Sequence, residues 1–196
     1  MPNLQSFHRS LSNEVALTIL QGLPIWKDAK KILDFGAGSD CLATTIVERF
    51  PSILPTVFDL PSCAAKITSL MSEDMQEKIT VLGGNYNHDA FGENYDVIWC
   101  SMALYYAHDL SELLYRAKNS LTKNGVFVSF HEGLTNDRTK PETHVVGRFL
   151  PALNGSDVSF SQGQIANTLR LVGFSRVDSQ TIETAYGPME LDIAYR

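Results

Sequence analysis

Only three cysteines occur in the 196 residues, Cys41, Cys63 and Cys100. They are widely spaced, odd in number and set in apolar stretches, which excludes a disulfide-stapled scaffold. No Cys/His spacing resembles a zinc site, so no metal is expected, and the thiols read as buried and reduced. No apolar run approaches the roughly 18 residues needed to span a bilayer. The opening MPNLQSFHRSLSNEV lacks the continuous apolar core of a signal peptide. Positive charge is scarce: 16 Lys and Arg stand against 22 Asp and Glu, a net charge of −6, with no basic run. That balance disfavours a phosphate backbone, so neither nucleic acid nor a membrane is expected as a partner. Internal repeats, low-complexity tracts and Pro/Gly-rich linkers are missing too. These absences predict one cytoplasmic domain over residues 1–196, with residues 1–25 as a helical lead-in.

What is present is an ordinary globular balance, 44% hydrophobic and 19% charged, sufficient for a full core. Residues 11–22 read as a helix with Leu11, Val15, Leu17, Ile19 and Leu20 as its apolar positions. Lys31–Phe35 reads as a buried strand ending in the turn GAGSD, and Cys41–Phe50 as a helix stopped by Pro51. Thr56–Phe58 starts a second strand ending at Asp59. A helix near 62–71 leads to a third strand at Ile79–Leu82, and Asp96–Cys100 is a fourth, apolar enough to be central. Leu110–Leu121 is an amphipathic helix closed by the turn Lys123-Asn124-Gly125, and Val126–Phe130 is a fifth strand. Alternation of this kind implies parallel crossover units and a sheet covered on both faces, the doubly wound α/β class. The tail differs. After a helix at Gln162–Leu171, residues 174–183 and 189–195 read as two strands joined through Tyr186-Gly187-Pro188, an antiparallel C-terminal hairpin. Dinucleotide-binding domains usually continue with helical crossovers instead, and the GxGxxG spacing is missing here.

The candidate binding residues lie at strand ends. Asp34-Phe35-Gly36-Ala37-Gly38 closes the first strand, where glycines permit a sharp turn and close approach of a ligand. Asp59 ends the next strand, 21 residues beyond Gly38, where a carboxylate can accept both ribose hydroxyls of a nucleoside. Asp34 would face the crevice and organise the loop or a ligand ammonium. At the end of the third strand, Gly83-Gly84-Asn85-Tyr86 places an amide able to pair with an adenine edge and a ring able to stack on it. Each feature alone is compatible with a tight strand–helix connection. Together they favour a nucleoside site.

The segments ILDFGAGSDCLATTIVERFP, PTVFDLP, ITVLGGNY, YDVIWCSMALYY and LTKNGVFVSFHEGL resemble the small-molecule O-methyltransferases of the caffeate and hydroxyindole types. The segment SQGQIANTLRLVGF resembles that family's last helix before its hairpin. The resemblance covers nearly the whole chain. It implies the seven-stranded, mostly parallel, Rossmann-like class I methyltransferase fold, with S-adenosyl-L-methionine (SAM) as cofactor and S-adenosyl-L-homocysteine (SAH) as product. By match to the motifs, Gly36 and Gly38 would line the methionine and ribose, Asp59 would hold the ribose hydroxyls, and Ala37 and Leu60 beside them would also bind the cofactor. Asn85 and Tyr86 would flank the adenine, and Ser101 would lie near the sulfonium. Three positions depart from the family pattern. Asp40 stands where a third glycine is usual, and is expected to cap the following helix. Asn85 stands where the family has an acid. Tyr105 stands where the family has its general-base histidine. The family also carries an N-terminal helical domain that dimerises and walls the substrate pocket, which this chain is too short to contain.

Candidate catalytic residues are therefore Tyr105, His108 and His131. A phenol with a pKa of about 10 is a poor base at neutral pH, so Tyr105 reads rather as pocket lining. His108 has suitable chemistry at a helix start, and His131-Glu132 ends the fifth strand, where crevice residues arise in open sheets. Catalysis without a base remains open, because a cofactor that carries the reactive carbon leaves the protein mainly to orient the nucleophile. His8, His88 and His144 read as surface or packing. The apolar pattern after His144 (Val145, Val146, Phe149, Leu150) could cover the substrate side. The expected function is methyl transfer from SAM to a small hydroxylated or aromatic metabolite. The alternative is a methyltransferase-like binding protein, or the cofactor-binding half of a two-chain enzyme. A homodimer or partner chain closing the pocket is expected in either case.

Overall fold

Strand and helix periodicity sort the apolar residues onto two faces of one sheet. The protein is described by a computed structural model over residues 4–135, 137–155, 158–184 and 187–196, with side chains from residue 13 onward. Helix α1 (Leu4–Gln21) leads through a 3-10 turn into β1 (Lys31–Phe35), followed by α2 (Cys41–Arg49), β2 (Leu54–Asp59), α3 (Pro61–Leu70), α4 (Glu73–Lys78) and β3 (Thr80–Gly83). The second half runs β4 (Tyr95–Ser101), α5 (Leu110–Ser120), β5 (Leu121–His131), β6 (Gly133–Leu134), α6 (Glu142–Leu153), β7 (Phe160–Ser161), α7 (Gln164–Leu171), β8 (Arg176–Thr184) and β9 (Gly187–Tyr195).

Seven strands form the main sheet in the order β3-β2-β1-β4-β5-β9-β8. Strands β1 to β5 pair in parallel, and β9 runs antiparallel to both β5 and β8. Alternation along β4 assigns the faces. Val97 and Trp99 pack with Leu17 and Leu20 of α1 and Leu42 and Ile46 of α2. Ile98 and Cys100 pack with Leu113 and Leu114 of α5 and Ile165 and Leu169 of α7. The Asp96 carboxylate fastens the sheet centre by accepting from the Lys30 and Lys31 amides at 2.8 and 3.1 Å. Strand order reverses between β1 and β4, and at such a switch point the carboxyl ends of the strands part to leave a crevice.

The seven strands and the closing hairpin agree with the sequence, while several boundaries differ. Helix α1 begins at Leu4 rather than residue 11. Lys123-Asn124-Gly125 does not end a loop before β5. The strand starts at Leu121 opposite Tyr95, and pairing resumes at Val126 opposite Val97, so these residues form an irregularity inside the strand. Helix α4 was not expected. It buries no residue and so leaves no apolar period to read, yet Ser72 Oγ caps it by accepting from the Met75 amide. Helix α7 starts at Gln164, after Gly163 in the left-handed region. In the expected hairpin turn, Gly187 and Pro188 already belong to β9, and Tyr186 lies outside the described residues. Cys41 and Cys63 are half-buried and only Cys100 is buried. Among the described residues no helix is long and apolar enough to cross a membrane, and no cluster of His, Cys, Asp and Glu could hold a metal ion.

Candidate functional site

Two adjoining cavities open at the carboxyl ends of β1, β2 and β4. The larger, 420 Å³, is lined by Asp59, Leu60, Asn85, Tyr86, Tyr106 and His108 among others. The smaller, 200 Å³, is lined by Asp34, Ala37, Ser39 and Ser101 together with Asn13 and Trp99. Gly36 and Met102 line both. All the residues expected to bind a cofactor line one cavity or the other except Gly38, which is tied to the cavity residue Asp59 through its amide, and the volumes lie near the usual range for ligand sites.

The glycine turn is shaped by its surroundings. The Gly36 amide donates to the Phe58 carbonyl at 2.8 Å, tying the loop to β2. Gly36 has φ +72°, and a Cβ there would overlap the Ala103 methyl, so only glycine fits. Gly38 has φ +65° with open space where a Cβ would be. Asp59 links this loop to the next strand end: Oδ2 accepts from the Gly38 amide and Oδ1 from the Leu60 amide, each at 2.7 Å. Asp34 is buried. Burial first, and then the nearby charge of Asp59, push its carboxyl up to about 7. Asp40 does not cap α2, because its backbone is already helical. Its carboxylate accepts instead from Thr44 Oγ1 at 3.1 Å. Asn85 Oδ1 accepts from the Asn87 amide at 3.0 Å, shaping the strand-end turn. Tyr86 is largely buried, stacked on Phe35 with ring centroids 5.3 Å apart, and its hydroxyl donates to the Ala103 carbonyl at 2.7 Å. One edge of it remains on the cavity wall.

The residues weighed as bases occupy three different environments. His108 is exposed at the cavity wall, and its amide donates to Asn87 Oδ1 at 2.8 Å. His131 is fully buried. Its Nε2 accepts from the amides of Ala103 and Leu104, both at 3.1 Å, so the Nδ1 proton faces Ser129 Oγ at 2.9 Å. Burial, helped by the charge of Arg148, pushes its pKa down to about 3. Both ring nitrogens are engaged and the imidazole stays neutral. The Tyr105 hydroxyl bonds Glu132 Oε2, and its ring stacks on Phe160 with Arg148 above it at 4.3 Å. Burial and the Glu132 charge raise its pKa far above that of a free phenol.

Sequence reasoning did not find the rest of this network. Arg148 pairs with Glu132, whose other oxygen lies 3.3 Å from His144 Nδ1, and His144 Nε2 donates to the Pro188 carbonyl at 2.8 Å. Helix α6 therefore turns His144 and Arg148 inward, while Val146, Phe149, Leu150 and Leu153 are 59–73% exposed. Of the apolar positions expected to cover the substrate side, Val146, Phe149 and Leu150 are exposed and Val145 is half-buried. No local signal marks this, since an amphipathic pattern does not say which face a partner will bury.

A family model described as an O-methyltransferase domain matches this chain over residues 3–155. The chain belongs to this family. Among solved structures, PigF with SAH is 22% identical at a TM-score of 0.72, covering 91% of this chain and 53% of that one. The mitomycin 7-O-methyltransferase MmcR is 19% identical at 0.73, covering 95% and 55%. Human N-acetylserotonin methyltransferase in complex with SAM is 20% identical at 0.69, covering 96% and 55%. This O-methyltransferase domain thus spans a little over half the length of the structures it matches, and at these identities the likeness is one of fold. Within the domain, Tyr105 lies where the resemblance places a base, and its hydroxyl is committed to Glu132.

Proposed function

We propose that this chain binds SAM across the two cavities and directs its methyl group to an oxygen of a small hydroxylated or aromatic metabolite, leaving SAH. The observation that carries this is the Gly38–Asp59 contact, which sets a carboxylate and a glycine turn at one crevice of a family-typical sheet. In this reading Asp59 holds the ribose hydroxyls, and Leu60, Asn85 and Tyr86 flank the adenine. Gly36, Ala37, Gly38 and Ser101 line the amino-acid end, where Asp34 receives the ammonium. The cofactor supplies an activated methyl on a cationic sulfur, so the protein has to orient the acceptor and manage at most one proton. Of the three candidate bases, His108 alone meets the cavity with an exposed ring. His131 has no nitrogen to offer, and Tyr105 is tied to Glu132 on both counts, its proton to the carboxylate and its oxygen to the backbone amide. Catalysis therefore runs through His108 or with no base, on an acceptor that is already nucleophilic. The absence of a disulfide and of a membrane-spanning helix among the described residues supports a cytoplasmic setting.

Calorimetry tests the reading directly. SAM and SAH should each bind, and saturating SAH should raise Tm by mass action. A methylation screen over phenols, carboxylates, amines and thiols then identifies the acceptor atom. If neither form of the cofactor binds at millimolar concentration, the reading fails.

The exposed stripe Val146, Phe149, Leu150 and Leu153 favours a second chain, either another copy or a partner, closing the acceptor side. Apolar patches of this kind usually mark association sites. Light scattering should report a species larger than 21.7 kDa, and Leu150→Glu should return it to the monomer. A monomer at all concentrations argues against the second chain.

A further inference from the structure

Met102 sits in a backbone conformation that a long side chain rarely adopts, with φ +56°. Five separate contacts hold it and its neighbours there. The Met102 amide donates to the Phe130 carbonyl at 3.2 Å. The amides of Ala103 and Leu104 both donate to His131 Nε2. The Ala103 carbonyl accepts from the Tyr86 hydroxyl, and the Ala103 methyl occupies the space that glycine leaves at position 36. Strain that the surroundings over-determine in this way is characteristic of functional sites. Its result is a methionine that is 41% exposed at the wall of both cavities, with Sδ 3.4 Å from the Tyr105 hydroxyl.

The location decides what the side chain can do. A ligand with its nucleoside in the larger cavity and its amino-acid part in the smaller must cross where the two meet, at Gly36 and Met102. In SAM the atom that joins those parts is the sulfur bearing the methyl group. Gly36 presents only backbone, so Met102 is the side chain at the crossing. A thioether there is flexible and polarisable, able to pack against a planar acceptor without competing as a proton donor. Resting on the methyl-donor reading above, we infer that Met102 is the contact residue against which donor and acceptor are aligned, and that His131 is a positioning residue that holds Met102 in place.

Two measurements test this without an identified acceptor. The first is hydrogen peroxide footprinting read by peptide mass spectrometry, in which an exposed thioether is oxidised to its sulfoxide. Met102 should oxidise faster than Met71 and Met189, each 6% exposed. Saturating SAH should slow Met102 at least fivefold and leave the other two unchanged. The second uses variants of the whole chain. Met102→Gly relieves the left-handed strain, so its apo Tm should rise while SAH affinity falls at least tenfold. Met102→Leu should keep affinity within threefold and show no gain in Tm. His131→Ala should weaken SAH binding about tenfold, and His131→Gln, which supplies an oxygen for the same two amides, should recover most of it. Oxidation of Met102 indifferent to SAH, or wild-type affinity in Met102→Gly, overturns the assignment of Met102. A glutamine variant no better than the alanine one overturns that of His131. Wild-type protein that binds no SAH defeats the donor reading itself, which separates the two failures.

Discussion

Asp59→Ala should reduce SAH affinity by at least about a hundredfold and erase the ligand-induced rise in Tm. In the structure the Asp59 carboxylate accepts from the amides of Gly38 and Leu60 at 2.7 Å each, so it already shapes the glycine loop before any ligand arrives. A nucleoside adds two ribose hydroxyls as donors. Hydrogen bonds to a charged group contribute about 1.5–3 kcal/mol each. Losing two of them corresponds to a factor of roughly 10² or more in affinity, and the unpaired loop amides lower it further. Asp59→Asn retains an acceptor but no charge and should fall between alanine and wild type. Titration calorimetry of the three proteins checks the order. An alanine variant within threefold of wild type would remove Asp59 from the site.

Asp34 ties cofactor binding to protons. Its carboxyl is pushed from an ordinary 3.8 up to about 7, first by burial and second by the charge of Asp59. A folded-state pKa above the unfolded one means that the folded chain holds the extra proton between about pH 4 and 7. Stability is therefore lost as pH rises through that window. The full effect is on the order of 4 kcal/mol, at 1.36 kcal/mol per unit. Asp34→Asn should accordingly raise the apo Tm at pH 8 and change it little near pH 4. Binding reverses the benefit. An ammonium placed against Asp34 requires the ionised carboxylate, so SAM binding at pH 6 should release close to one proton, and the asparagine variant should release none while binding more weakly. Calorimetry in two buffers of different ionisation enthalpy counts the proton. Equal release from both proteins would place the ammonium elsewhere.

The stability gain and the affinity loss expected of Asp34→Asn mirror those expected of Met102→Gly. In both, a local conformation or charge that burdens the empty fold is retained at a ligand site. The Tyr105–Glu132–Arg148 network is of another kind. Its charges are mutually satisfied, and its hydroxyl points its proton at a carboxylate. A hydroxyl so engaged is a poor proton acceptor, and orientation can contribute more than a positioned base does.

The amino-acid sequence alone determined the alternation of strands and helices, the closing hairpin and the gathering of the candidate site residues at the strand ends. Each of these rests on a signal confined to a few neighbouring positions: apolar runs of strand length, a glycine turn after a buried strand, and an acid at the next strand end. Val126, Val128 and Phe130 face one side of the sheet and Phe127 the other, as their period requires. What only the tertiary structure decided was which way side chains face and what they are bonded to. His131 is an acceptor for amides 27 and 28 residues earlier, Tyr105 is held by a carboxylate 27 residues later, and α6 turns His144 and Arg148 inward. Asp40 could have capped a helix by its type and position, but the loop around it left its backbone helical. Such outcomes depend on burial and on partners brought together by strand order, and short-range sequence patterns carry no record of either.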